Sequence, residues 1–264
     1  MSQMTVKICF AVVMAMSGSA FAQTASTYIE ELTWMEIRDA IAAGKTTALY
    51  YAGSTEQNGP HMATGKHNWI ARHVAGRIAA ELGNALVYPG LPFAPTGDIQ
   101  RKTQHMAYAG SVSVSEDTFA RVAREVAQSA AAAGFKCVVL MGDHGGGQRA
   151  LNLVAKTLSA QWQGRGVRVI YGRDVYERAN QRAMSLLKER GLPYGDHASI
   201  IDTSELMFVE PSAVRQVQLT AANPQTGSAG FAQSASAELG QQFIEFKVQA
   251  AVAQINSSAG CAKR

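Results

Sequence analysis

No run of lysine and arginine occurs anywhere in the 264 residues, and basic residues do not alternate with aromatic ones. The 24 basic residues against 20 acidic ones are scattered, so the sequence offers no footprint for nucleic acid. No segment beyond the first 22 residues holds the roughly 18 uninterrupted apolar residues of a membrane span. Neither G-x-x-x-x-G-K-[ST] nor G-x-G-x-x-G is present, which leaves nucleotide binding without its usual loops. Charged residues are only 17% against 47% hydrophobic, and 7 prolines and 24 glycines show no strong bias. That composition excludes collagenous and low-complexity chains and describes an ordinary globular protein.

Cysteine is scarce too. Cys9 lies near the start, Cys137 reads as a packed residue of an apolar strand, and Cys261 reads as a thiol of the tail. An oxidising compartment would permit a bridge between the last two, but nothing in the sequence pairs them. Such a compartment is expected. Lys7 precedes the apolar run Ile8 to Met16, and Ala20-Phe21-Ala22 fits the small-residue cleavage rule. Residues 1–22 are therefore read as a secretory signal peptide cut after Ala22, which places the protein in the periplasm or outside the cell. Residues 23–264 are read as a single domain, with no membrane partner once the leader is removed.

Strands and helices alternate along that domain. Thr46 to Ala52, Leu86 to Tyr88, Lys136 to Met141 and Val167 to Tyr171 are apolar runs of strand length. Helical spacing marks His67 to Leu82, Val114 to Ala133 with Ser115 as N-cap, Gln148 to Trp162, Asp174 to Arg190 and roughly Ser234 to Ile255. Unbroken apolar strands between helices predict an α/β fold, a three-layer α/β/α sandwich with a mainly parallel sheet.

Ligands of such sheets sit beyond the carboxyl ends of the strands. Three polar segments stand out by that rule. Gly53-Ser54-Thr55-Glu56-Gln57-Asn58-Gly59-Pro60-His61 runs on to His67, Gly142-Asp143-His144-Gly145-Gly146-Gly147 follows a strand, and Asp196-His197-Ala198 leads to Asp202. A carboxylate and two imidazoles converging there are the ligand set of a catalytic zinc or related divalent ion with open positions.

The segment Gly53 to His61 resembles the opening signature of the creatininase (creatinine amidohydrolase) family. His105-Met106-Ala107-Tyr108-Ala109-Gly110-Ser111 is similar to that family's His-x-x-Phe-Pro-Gly-Thr segment. Gly142 to Gly147 stands where the family has Asn-Gly-His-Gly-Gly-Asn, and His197 to Ser204 where it has His-Ala-Gly-x-x-Glu-Thr-Ser. The resemblance implies a creatininase-like fold, a divalent-metal hydrolase of cyclic or other amides acting on a small-molecule substrate, and a homo-oligomer.

The sequence also departs from the family pattern. Asn58 replaces a histidine, His67 replaces a metal-bridging aspartate, and Asp202 replaces a glutamate. One divalent ion is therefore expected, zinc with manganese or iron as alternatives, held by Glu56, His67 and His144. His197 is expected to pass a proton to the leaving group, with Asp202 and Asp98 as further catalytic candidates. His61, Asn58, His105 and Asp143 are read as substrate-binding positions, Asp143 and Asp202 also as a fourth ligand or an imidazole's orienting carboxylate. The expected function is hydrolysis of a small cyclic amide or related carbonyl compound. The alternatives are a lactone or ester hydrolase, a non-catalytic ligand-binding protein, and, ranked last, iron-dependent redox chemistry.

Overall fold

Four apolar runs pair as parallel strands of one sheet: β1 (Thr47–Ala52), β2 (Ala85–Tyr88), β3 (Cys137–Gly142) and β4 (Arg168–Tyr171), in the order β2-β1-β3-β4. The structure, a computed structural model, describes residues 26–219 and 223–261, so the expected leader over residues 1–22 lies outside the described residues. The two central strands are buried along their whole length, as parallel strands joined by helical crossovers must be. Alternation along them divides the core. Leu49, Tyr51, Val139 and Met141 face one side, and Ala48, Tyr50, Val138 and Leu140 face the other.

The first side is covered by α2 (Lys66–Leu82) and α7 (Ala237–Ser257), through Ile70, Val74, Ile78, Ile244 and Val248. The second is covered by α3 (Glu116–Ala133) and α4 (Gln148–Gln161), with α1 (Trp34–Ala42) packing alongside through Ile37 and Ile41. This is the three-layer α/β/α architecture. Local signals set its boundaries: Ser115 Oγ accepts from the Thr118 N–H at the start of α3, and Gly134 ends that helix in a left-handed turn.

Three features differ from the sequence reading. Helix α1 was not anticipated, although Thr33 and Glu36 form a capping box at its start. Helix α6 (Ile200–Val209) occupies what reads as a polar site segment, because it buries Thr203, Ser204 and Glu205 and so blurs its apolar period. With α5 (Glu177–Glu189) and α7 it builds a further apolar cluster around Leu187, Ile200, Leu239 and Phe243. Finally, Cys261 is no free tail thiol. It is bonded to Cys137 at the first residue of β3, with the Cα atoms 5.1 Å apart. No helix among the described residues is long and apolar enough to cross a membrane.

The strand order positions the site. From β1 the chain moves outward to β2 and then crosses over to β3 and β4 on the other flank. Loops leaving β1 and β3 therefore part in opposite directions and open a crevice at the carboxyl ends of these neighbours.

Candidate metal centre

Glu56 follows β1 into that crevice, and its side chain is fully buried. Ser54 Oγ donates to Glu56 Oε2 at 2.9 Å. His144, just past β3, brings Nε2 to 2.7 Å from the same oxygen, and His67, from the first turn of α2, brings Nε2 to 3.2 Å from Oε1. Burial alone would raise the Glu56 pKa, but the two imidazoles outweigh it and hold the carboxylate ionised, well below its usual range. The Gly146 N–H donates to His144 Nδ1 at 2.9 Å and fixes that ring from behind.

His67 is oriented by a second carboxylate. Its Nδ1 lies 2.7 Å from Asp143 Oδ2, so Nδ1–H points to Asp143 and Nε2 to Glu56. Burial and the Lys66 charge push the His67 pKa down, but Glu56 and Asp143 prevail and raise it. Asp143 is in turn held by Lys247 Nζ at 2.8 Å and by the Tyr51 hydroxyl at 3.0 Å, and Lys247 reaches Glu205 at 2.9 Å. Both oxygens of Asp143 are thus committed. It orients an imidazole and leaves no oxygen for substrate.

Two more imidazoles stand near Glu56, the His105 ring in edge contact with that of His144. His105 Nε2 and His197 Nδ1 each lie 3.9 Å from Oε1. Between them, Gln57 Nε2 is 3.1 Å from His105 Nδ1 and 3.0 Å from His197 Nε2, while the Gln57 main-chain carbonyl is 2.9 Å from His197 Nε2. A carbonyl only accepts, so His197 Nε2 carries the ring's proton. Burial, then the Lys66 charge, lowers the His197 pKa to about 4 and keeps the ring neutral near pH 7.

A cavity of about 480 Å³ opens on this cluster, with Tyr176 and Asp202 on its walls. Asp202 accepts from the Ala198 N–H at 2.8 Å and pairs with the buried Lys66 Nζ at 2.8 Å. Burial would raise its pKa, but Lys66 and His197 bring it to about 2. Its place is structural: it ties α6 to the start of α2. A larger cleft of about 1490 Å³ lies at the other end of the sheet, by Thr46, Lys136 and Arg168, and carries no such cluster.

Three positions expected at the site are not on this cavity. Asn58 is buried with its amide donating to the Glu56 carbonyl at 2.9 Å, so it braces its own loop. His61 is buried against Thr203, with Nε2 2.9 Å from Oγ1. Asp98 caps a turn, accepting from the N–H groups of Gln100 and Arg101. Sequence reasoning passed over Gln57, Lys66, Glu205 and Lys247. Lys247 left one readable signal, a lysine in register with Phe243 and Ala251 on a buried helical stripe.

The ligand atoms fall into two sets, Glu56–His67–His144 and Glu56–His105–His197, and within each set they lie within 4.8 Å of one another. The first set fits a divalent ion. Asp143 holds the Nδ1 proton of His67 and so frees Nε2 as a ligand. His144 presents a free Nε2 once its proton moves to Nδ1, at the expense of the Gly146 contact. One carboxylate oxygen and imidazole nitrogens suit zinc and its first-row neighbours.

Known proteins resemble this chain in sequence and in fold. Among curated proteins, a creatinine amidohydrolase from Pseudomonas putida is 29% identical over 119 residues, 45% of each chain. A mycofactocin precursor peptide peptidase from Mycobacterium ulcerans is 29% identical over 174 residues, 65% of this chain and 61% of that one. The match thus spans between about half and three-fifths of these relatives. A manganese creatininase structure superposes with a TM-score of 0.75 at 22% identity, covering 88% of this chain and 98% of that one. A creatininase variant described as of Zn-Zn type gives 0.72 at 22% identity with the same coverage. The family model for creatinine amidohydrolase matches residues 30–255, and the chain belongs to the creatininase family.

Proposed function

We propose that this protein is a metal-dependent amidohydrolase of a small cyclic amide or related carbonyl compound, with its ion held by Glu56, His67 and His144. Family membership supports a hydrolase of this general kind. The observation that carries the site is the buried Glu56 carboxylate, faced by two imidazoles, backed by Asp143 and open to a cavity of about 480 Å³. When bound, the ion supplies Lewis acidity and brings the pKa of water near 7.

The chain's own residues supply position and charge. Ser54 holds one oxygen of Glu56, and the Lys247–Asp143–His67 chain fixes the imidazole on the other. Tyr176, whose phenol burial keeps protonated, borders the cavity as a hydrogen-bond donor for a carbonyl oxygen. Glu205 also lines the cavity, with its carboxyl 2.9 Å from Lys247 Nζ, and burial raises its pKa against the pull of that charge. His197 is poorly suited to pass a proton to the leaving group, because one nitrogen is engaged by a carbonyl and the other faces Glu56.

The test is a substrate screen of zinc- or manganese-loaded protein against creatinine, other cyclic amides and lactones. Turnover is expected for at least one cyclic amide, with a loss of at least ~100-fold in Glu56→Gln. Activity undiminished in that variant would end the reading. Turnover confined to lactones would replace the amide with an ester. A peptide is the second substrate reading, favoured by the longer match to the peptidase relative, and a linear peptide library belongs in the same screen. We also propose a periplasmic or secreted protein, a reading that rests on the leader-like pattern of residues 1–22 and that fractionation of the native host tests.

A further inference from the structure

We infer that Lys66 determines the specificity of this cavity by holding an anionic group of the substrate, so that the compound cleaved is a cyclic amide bearing a carboxylate. This assignment rests on the hydrolase reading above and narrows its substrate class.

Lys66 opens α2 beside His67, and its side chain is only 1% exposed. An ammonium carries three N–H donors. Among the described residues a single acceptor meets it, Asp202 Oδ1 at 2.8 Å. A tie between α2 and α6 needs no more than that one contact. Two donors are left unfilled on a buried charge that lines the cavity. Buried donors without partners are costly, those of a charged group most of all.

Asp202 does not use up this capacity. One of its oxygens takes Lys66 and the other takes the Ala198 N–H at 2.8 Å. The pair therefore has only donors left to offer, and what completes it is an acceptor. Lys247, the other ammonium on the lining, is in the opposite state. It meets Asp143 at 2.8 Å and Glu205 at 2.9 Å, and two carboxylates hold it within the fold. One lysine is spoken for by the protein and the other is left for a ligand.

A carboxylate suits Lys66 better than a neutral carbonyl does. Its two oxygens match the two unfilled donors, and hydrogen bonds between opposite charges are roughly twice as strong as neutral ones. The acids on the lining leave room for it. Glu56 faces imidazoles, Asp143 and Glu205 share Lys247, and Asp196 is exposed, where solvent screens its charge. Burial lowers the pKa of His105 and His197, and the Lys66 charge adds to it, so an anion seated on Lys66 lies beside the imidazole cluster. Met184 and Ile201 give the same cavity an apolar stretch of wall for a ring. The carboxylate itself takes no part in bond cleavage.

The test uses metal-loaded protein and two matched pairs of compounds, pyroglutamate against pyrrolidinone and dihydroorotate against dihydrouracil. In the wild type, kcat/KM is expected to be ~10-fold or more higher for the carboxylate-bearing member of at least one pair. In Lys66→Met that ratio is expected to fall to ~2-fold or less. Because this variant leaves Asp202 buried and unpaired, the double variant Lys66→Met/Asp202→Asn removes the pair as a unit and carries the same expectation. A lysine that only braced α6 would leave the ratio unmoved. No preference in the wild type, or a preference that survives in a folded variant, overturns the assignment while the turnover observed keeps the hydrolase reading standing. If neither pair is cleaved, binding decides: the acids must raise the wild-type melting temperature more than their neutral partners do, and must lose that advantage in the variants. Equal shifts, or none, overturn the assignment. Acids bound through Lys66 with no amide cleaved in the wider screen would keep this site and end the hydrolase reading.

Discussion

Glu56 shows how a buried carboxylate is kept charged: burial disfavours the ion, and neighbouring imidazoles reverse the balance. The orienting carboxylate behind His67 should be felt in metal affinity more than in folding. Asp143→Asn is expected to weaken metal binding by ~10- to 100-fold, read by competition with a chromogenic chelator. An unchanged constant would mean that packing alone fixes the imidazole. Asp202 makes a different prediction. Its carboxyl titrates near 4 when unfolded and at about 2 in the fold, so the folded state favours the ion. That stabilisation is full above pH ~4 and is lost as pH falls through 2. Melting temperature should therefore drop over this window less steeply in Asp202→Asn than in the wild type; parallel curves would remove the Lys66 pair from the account. At this scale the sequence exposes Glu56, His67 and His144, because strand ends and glycine-rich loops mark them. It hides Asp143's real task and the inward turn of Asn58, since a side chain's direction depends on groups distant in the chain, such as Lys247.

Helices α6 and α7 meet where neither leaves room for side chains. At Gly240 an added Cβ would stand 1.9 Å from the Ser204 carbonyl oxygen, which is main chain and cannot step aside. Gly240→Ala is expected to destabilise by roughly 1–3 kcal/mol and to loosen Lys247 and Glu205 together. Calorimetry reads the first effect, and reduced metal retention at an unchanged ligand set reads the second. A variant as stable as the wild type would show that α7 can slide. The same contact explains why α6 escapes a sequence reading. It turns polar Thr203, Ser204 and Glu205 inward, so apolar periodicity fails even though the element is a regular helix. The strands suffer no such confusion, because β1 and β3 are buried along their whole length between two apolar clusters and show it as mostly apolar runs.

Across the whole molecule, the alternation of strands and helices was sufficient for the layers, and the carboxyl-end rule for the location of the crevice. Sequence could not supply the tie between Cys137 and Cys261, because 124 positions separate them and only the return of α7 alongside the sheet brings them together. Closing a loop of that size stabilises by about 4 to 5 kcal/mol in the chain-entropy view. Unfolding in reductant is expected to occur at a clearly lower urea concentration than without it; coincident curves would mean the bridge constrains little.

The bridge also divides the centre itself. His144 and His197 belong to the covalent ring it closes, whereas Glu56, His67 and His105 lie on the open strand of chain that leads into it. A protease that nicks the exposed stretch around Gly191 would cut the ring and release nothing. The product should run at full mass on a non-reducing gel and separate into two pieces only after thiol treatment. A molecule so clipped would keep Glu56, His67 and His144 in place, with its two halves joined by a single pair of sulfurs.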